Sequence, residues 1–179
     1  MRTAATLSPS LSPHPSVLIP LIAGDSHMRV EAKLHELGLE LPPTPRPAAN
    51  YVGAVQTGNL LFISGHGPTK DGKFIYLGKV GKDLSIEEGY EAARLVALNC
   101  LASAKSVIGD LDRITRVVKI LGMVHCTEDF GDQPKVINGA SDLLVQLFGD
   151  SGRHARSAVG MQALPFGMAV EIEMILEIE

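Results

Sequence analysis

The residues best equipped for chemistry lie near the C-terminus. Ala155-Arg156-Ser157-Ala158-Val159-Gly160 leads through Ala163-Leu164-Pro165 into Val170-Glu171-Ile172-Glu173. An arginine entering a strand between small residues suits bidentate capture of a carboxylate, because its planar guanidinium offers two parallel N–H donors. Glu171, on the return strand of what reads as the same hairpin, offers a carboxylate nearby. The same residues would also serve as an ordinary cross-strand ion pair beside a solvated Glu171/Glu173 face, and surface pairs of that kind are common and weak.

Other apparent motifs carry less. Gly67-Pro68-Thr69-Lys70-Asp71-Gly72-Lys73 fits the first seven places of a phosphate-binding loop, but Phe74 stands where a Ser or Thr would hold magnesium. It also runs into strand-like Phe74-Ile75-Tyr76 instead of a helix, so a hairpin turning at Asp71-Gly72 is the better reading. The six histidines are scattered at 14, 27, 35, 66, 125 and 154, and none has the helical partner that zinc hydrolysis needs. His125-Cys126 reads as a strand end, since adjacent strand residues point to opposite faces. No Ser sits in a G-x-S-x-G elbow.

Composition narrows the classes further. Sixteen Lys and Arg stand against 20 Asp and Glu, a formal net charge of −4, which disfavours a sequence-independent nucleic-acid binder. Aromatics make up only 4% with no Trp, so stacking platforms for single strands are lacking. Cys100 and Cys126 provide neither a disulfide scaffold nor a Cys/His zinc cluster. No run approaches the roughly 20 apolar residues of a membrane helix. The expectation is a single cytoplasmic domain of 179 residues or fewer, without metal or cofactor.

The elements that must position these residues follow from the punctuation. Residues 1–27 are rich in Ser, Thr, Ala and Pro and read as a disordered leader, with the domain spanning 28–179. Arg2 and the apolar run from Val17 to Ala23 suggest a targeting peptide only weakly, since Pro20 interrupts that run. Val30 to Leu39 reads as a short helix, followed by an extended stretch through the prolines at 42, 43, 45 and 47. Val52–Gln56 and Leu60–Ser64 read as strands joined through Thr57-Gly58-Asn59, with a third strand around Phe74–Leu77. Ser85-Ile86-Glu87-Glu88 is a capping box ahead of a helix whose apolar positions run from Ala93 through Val107 to Ile108, ending at Gly109. Arg116–Val124 is a β-branched strand. Asp132 and Pro134 open a second long helix that ends at Gly149, and Ser157–Leu164 with Met168–Ile178 reads as a final strand pair. The main order is β-β-β-α-β-α-β-β, an α+β fold with a sheet carrying two helices on one face. Since Arg116–Val124 is apolar on both sides, the other face needs a cover, and self-association is the economical one.

Tyr51-Val52, Thr57-Gly58-Asn59-Leu60-Leu61-Phe62-Ile63-Ser64-Gly65, Asn138, Ala155-Arg156-Ser157, Leu164-Pro165 and Val170-Glu171-Ile172-Glu173 together resemble the YjgF/RidA family, also known as the L-PSP endoribonuclease-like group. The resemblance runs in collinear order from about Ala49 to Glu179. It implies a chorismate-mutase-like α+β fold assembled as a homotrimer, with ligand clefts between subunits. It also implies hydrolysis of reactive enamine/imine intermediates such as 2-aminoacrylate to 2-keto acids and ammonia. By that resemblance Arg156 binds the substrate carboxylate and Glu171 positions or activates water. Tyr51, Ser64, Gly65, His66, Asn138 and Ala158 then line the substrate site.

Three residues depart from the family archetype. His154 stands where it has Pro, Ala158 where Cys is common, and His66 where it has Gln. Two other functions stay open. One is a ligand-binding or regulatory trimer that captures small carboxylates without turnover. The other is an endoribonuclease, which the net acidity and the lack of a basic groove disfavour.

Overall fold

A computed structural model describes residues 29–44 and 49–179. The expected leader at 1–27, and Pro45 and Pro47, lie outside the described residues. The first helix, α1 (Arg29–Glu36), buries Val30 and Leu34. Its start is capped from a distance, for the Asp112 carboxylate accepts the backbone N–H groups of Arg29 at 2.6 Å and Val30 at 2.8 Å. In its first turn Glu31 pairs with Lys105 at 3.0 Å. A short apolar stripe alone would not hold eight residues helical, so this charged anchoring is what docks α1.

Strands β1 (Ala54–Thr57) and β2 (Leu60–His66) form the expected hairpin, with Thr57 opposite Leu60 and Ala54 opposite Ile63. The Gly67–Lys73 stretch is a hairpin too. β3 (Thr69–Lys70) pairs with β4 (Lys73–Phe74), and Asp71 (φ 50°) and Gly72 (φ 74°) both take the left-handed conformation that such a two-residue turn requires. The expected third strand of the main sheet is therefore a correction. Tyr76 turns the chain at φ 58°, and Leu77 only bridges to Met168, so this segment stays in a separate two-stranded ribbon. Asn99 ties the ribbon down by donating to the carbonyls of Gly67 and Thr69.

The long elements follow. α2 (Ile86–Ile108) begins with the full capping box, in which Ser85 Oγ accepts from Glu88 N–H and the Glu88 carboxylate accepts from Ser85 N–H. β5 (Ile114–His125) leads to α3 (Gln133–Phe148), then β6 (Ala155–Met161) and β7 (Val170–Ile178). The main sheet has the order β1-β2-β7-β5-β6. β6 runs parallel to β5, while β7 is antiparallel to both β5 and β2.

That order overturns the expected final hairpin. β6 and β7 do not pair; β5 lies between them. The turn at Pro165–Gly167 carries the chain across β5 instead of folding it back alongside β6.

The α+β class and helix-covered sheet agree with the sequence. The core lies between the sheet and the α2/α3 pair, with Val96, Ala97, Cys100 and Leu101 of α2 and Val136, Ile137, Leu143 and Leu144 of α3 fully buried. Val107, expected on the buried stripe, is 46% exposed. Two glycines set the spacing of these layers. A Cβ on Gly139 would overlap the Tyr90 carbonyl of α2, and one on Gly122 would overlap Ile137, so α3 presses closely on both α2 and β5.

Among the described residues no helix covers the opposite face of the sheet, which carries exposed apolar side chains. Val55, Phe62, Val159 and Met161 are exposed there. A hollow of about 300 Å³ on this face is lined by residues that include Val55, Phe62, Lys119, Leu121, Glu173 and Ile175.

Candidate functional site

Register and burial divide the expected site residues between the two faces of the sheet. Arg156 of β6 lies opposite Ile120 of β5, whose side chain is fully buried beneath the helices. Glu171 of β7 lies opposite Met123, on the bare face. Two strand spacings of about 4.8 Å and three residues of about 3.3 Å along the strands put their Cα atoms roughly 14 Å apart, in addition to the change of face. The adjacent carboxylate and the cross-strand ion pair expected from the sequence therefore do not occur, because β5 separates the two strands.

The arginine half is built from α3 and β6. Close seating of α3 at Gly122 brings its next turn beside Arg156. Arg156 Nη1 donates to Asn138 Oδ1 at 2.9 Å and to Ser141 Oγ at 2.9 Å. Asn138 and Ser141 are three residues apart and so share a helix face. Behind them His154 completes a chain of hydrogen bonds. Its Nδ1 lies 2.7 Å from the Gly152 carbonyl, which can only accept, so Nδ1 carries the proton. Its Nε2 then accepts from the Ser141 hydroxyl at 3.1 Å. Burial pushes the His154 imidazole below the ordinary range against the opposing pull of the Gly152 carbonyl, and the nearby Arg156 charge lowers it further. Ala158, opposite Gly122, is on the same side and packs against the core.

The acid half is built from β2 and β7. A Cβ on Gly65 would overlap Glu171 Oε1, so the absence of a side chain at Gly65 is what lets the carboxylate lie against the β2 backbone. Half-burial holds Glu171 protonated to higher pH than an ordinary glutamate, and the negative charge of Glu173 adds to the effect. The pairing between β2 and β7 shifts register between Ile63 and His66, which places Ser64 and Gly65 in a bulge. Ser64 Oγ donates to the Val52 carbonyl at 2.7 Å, tying the segment that follows Tyr51 to this bulge. Tyr51 itself is 49% exposed.

His66 is placed beneath the bulge, 7% exposed and facing α2. Its Nδ1–H donates to the Ser64 carbonyl at 2.6 Å, and its Nε2 accepts from Ser103 Oγ at 2.7 Å. Burial lowers the His66 pKa, partly opposed by that carbonyl bond. Both ring nitrogens are thus engaged inside the protein.

Three residues of this arrangement were not singled out for a site role by sequence reasoning. Ser141 carries a recognisable signal, standing one turn beyond Asn138 on the same face of a helix. His154 stands two residues before Arg156, which is the spacing of strand neighbours on one side. Ser103 has no local signal at all, since it meets His66 only through the packing of α2.

Residues 31–177 match the family described as "YjgF/chorismate mutase-like, putative endoribonuclease". The chain is 44% identical over 151 residues to Protein TCP17 of Trypanosoma cruzi, covering 84% of this chain and 94% of that protein. It is similar to the crystal structure of the protein Atu1372 from Agrobacterium tumefaciens, with 45% identity, a TM-score of 0.80, and 84% and 93% of the two chains covered. A structure described as a "putative endoribonuclease" from Shewanella oneidensis shares 34% identity at a TM-score of 0.81, with 83% and 99% covered. RidA from an Antarctic Psychrobacter is more distant, at 26% identity and a TM-score of 0.55, with 75% and 94% covered.

Proposed function

The chain belongs to the YjgF/chorismate-mutase-like family, and from that premise we propose that it hydrolyses reactive enamine/imine intermediates of the 2-aminoacrylate type to 2-keto acids and ammonia. The reaction takes place in the cytoplasm, in clefts between the subunits of a homotrimer. The observation that carries this reading is the state of Arg156. Asn138 and Ser141 use Nη1, and among the described residues no acceptor meets Nε or Nη2. Those two nitrogens form a side-on fork matched to a carboxylate.

The chemistry asks little more of the protein. The enamine tautomerises to an imine, water adds to the imine carbon, and the resulting carbinolamine expels ammonia to leave the ketone. A carboxyl that keeps its proton above the ordinary range suits this sequence, because it can pass a proton to nitrogen and take one from water. Burial of Glu171 against Gly65 supports that role. Arg156 holds the substrate carboxylate while the acid works on the carbon next to it, so orientation supplies much of the advantage. Since Arg156 and Glu171 lie on opposite faces of one sheet, a second copy must bring its Glu171 to the Arg156 of the first. The bare apolar face supports such an assembly.

One observation favours a second reading, a trimer that binds small carboxylates without turnover: the arginine half is complete within one chain and the acid half is remote from it. The deciding experiment follows 2-aminoacrylate, and imines released by several amino-acid oxidases, in the presence of wild type and Arg156→Ala. Accelerated decay with wild type alone supports the hydrolase. Pyruvate binding without any acceleration supports the binder.

A further inference from the structure

We propose that Ser141 and His154 are positioning residues that fix which edge of Arg156 faces the substrate carboxylate. This inference rests on the reading of Arg156 as a carboxylate clamp. A guanidinium can meet a carboxylate end-on through Nη1 and Nη2, or side-on through Nε and Nη2. Nη1 has two protons, and both are taken, one by Asn138 Oδ1 and one by Ser141 Oγ. The end-on mode is thereby closed, and Nε with Nη2 is the edge left for a ligand.

The direction of the hydrogen bonds decides what Ser141 does. A serine hydroxyl that both accepts and donates has a defined rotor only if its own proton has a destination. His154 Nε2 is that destination, and Nε2 is an acceptor because Nδ1–H is committed to the Gly152 carbonyl. The chain therefore runs in one sense from Arg156 Nη1 to Ser141 Oγ, on to His154 Nε2, and from Nδ1 to Gly152. Burial keeps His154 neutral and so keeps Nε2 available. One end of the chain sits on the backbone just after α3, the other on the guanidinium, so Arg156 is aimed by the helix and not only by its own strand.

The test uses calorimetric titration with pyruvate and NMR of the arginine side chains. Alanine is the better helix former, so Ser141→Ala should keep the fold. It should weaken pyruvate binding roughly three- to tenfold, the range for loss of one orienting hydrogen bond. Ser141→Thr, which restores the hydroxyl, should stay within about twofold of wild type on the same grounds. His154→Ala should weaken binding in the same direction, and Ser141→Ala should add nothing in an Arg156→Ala background. In the NMR spectrum the Arg156 Nη1 resonance should show hindered rotation in wild type and Ser141→Thr and lose it in Ser141→Ala. Equal rotation in wild type and Ser141→Ala would overturn the positioning role whatever the ligand does. Pyruvate binding abolished by Arg156→Ala yet unchanged by Ser141→Ala would overturn it while leaving the clamp intact. Absence of pyruvate binding to wild type would remove the clamp, and this inference with it.

Discussion

Arg156 and Glu171 have separable parts in the proposed reaction, and single substitutions distinguish them. Arg156→Ala should weaken pyruvate binding by at least about tenfold, since a charge-assisted pair contributes on the order of 1.5–3 kcal/mol. Arg156→Lys should also be impaired, because an ammonium cannot serve Asn138 and Ser141 while presenting a planar fork. Glu171→Gln keeps the shape beside Gly65 and removes the acid, so calorimetry should find near-normal pyruvate binding while an imine-decay assay finds lost turnover. Equal turnover in Glu171→Gln and wild type would remove the catalytic role of that carboxylate. His66 supports a prediction about stability. Its folded pKa is depressed, so between that value and the unfolded value of about 6.5 the unfolded chain binds more protons, and stability falls as pH falls through this window. His66→Gln should flatten the acid side of a urea-midpoint profile measured from pH 7.5 to 5. Some slope should persist, because His154 is shifted in the same direction. An unchanged slope in His66→Gln would show that the buried imidazole does not titrate with unfolding.

At the scale of elements, α3 connects packing to the site. Gly139 presses on the Tyr90 carbonyl, a backbone atom that cannot rotate away, so Gly139→Ala must push α2 and α3 apart. Overpacking of that kind costs about 1–3 kcal/mol. A thermal melt should show a loss of roughly 2–4 °C per kcal/mol for a domain of this size. Pyruvate affinity should fall in the same variant, because Asn138 flanks the displaced glycine; a lower melting temperature with unchanged affinity would separate packing from the site. The helices themselves were legible in the sequence, since Ser85 with Glu88 and the glycines at 109 and 149 mark their ends locally. Strand partners were not. Arg156 and Glu171 flank a Pro-Phe-Gly turn that looks like a hairpin loop, and nothing within those residues reveals that β5 intervenes. Parallel pairing of β6 with β5 is decided by long-range packing of α3, which a local pattern does not record. The resemblance named the candidate residues in collinear order, and the placement of Arg156 and Glu171 on two faces became visible only with the sheet order.

At the scale of the whole molecule, the exposed apolar sheet face and the placement of Arg156 and Glu171 on opposite faces both support the proposed trimer. Light scattering at micromolar concentration should give a homotrimer, and a stable monomer would remove the proposed clefts. Phe62→Lys places a charge on a side chain that is 41% exposed in the single chain, so it should spare the fold while weakening association. Its circular dichroism should match wild type, and its imine hydrolysis should fall with the trimer fraction. A sharper test mixes two inactive proteins. Arg156→Ala subunits retain Glu171, and Glu171→Gln subunits retain Arg156. If each cleft takes its arginine from one subunit and its acid from the next, random reassembly of equal amounts restores both groups in about a quarter of the clefts, by the symmetry of a closed ring. Refolding the two variants together should therefore recover about a quarter of wild-type turnover, while either refolded alone stays inactive. If both residues served one cleft from the same chain, no mixture could place an intact pair together. Recovery at background level from a verified mixed trimer would thus overturn the shared cleft, even if the trimer itself were confirmed.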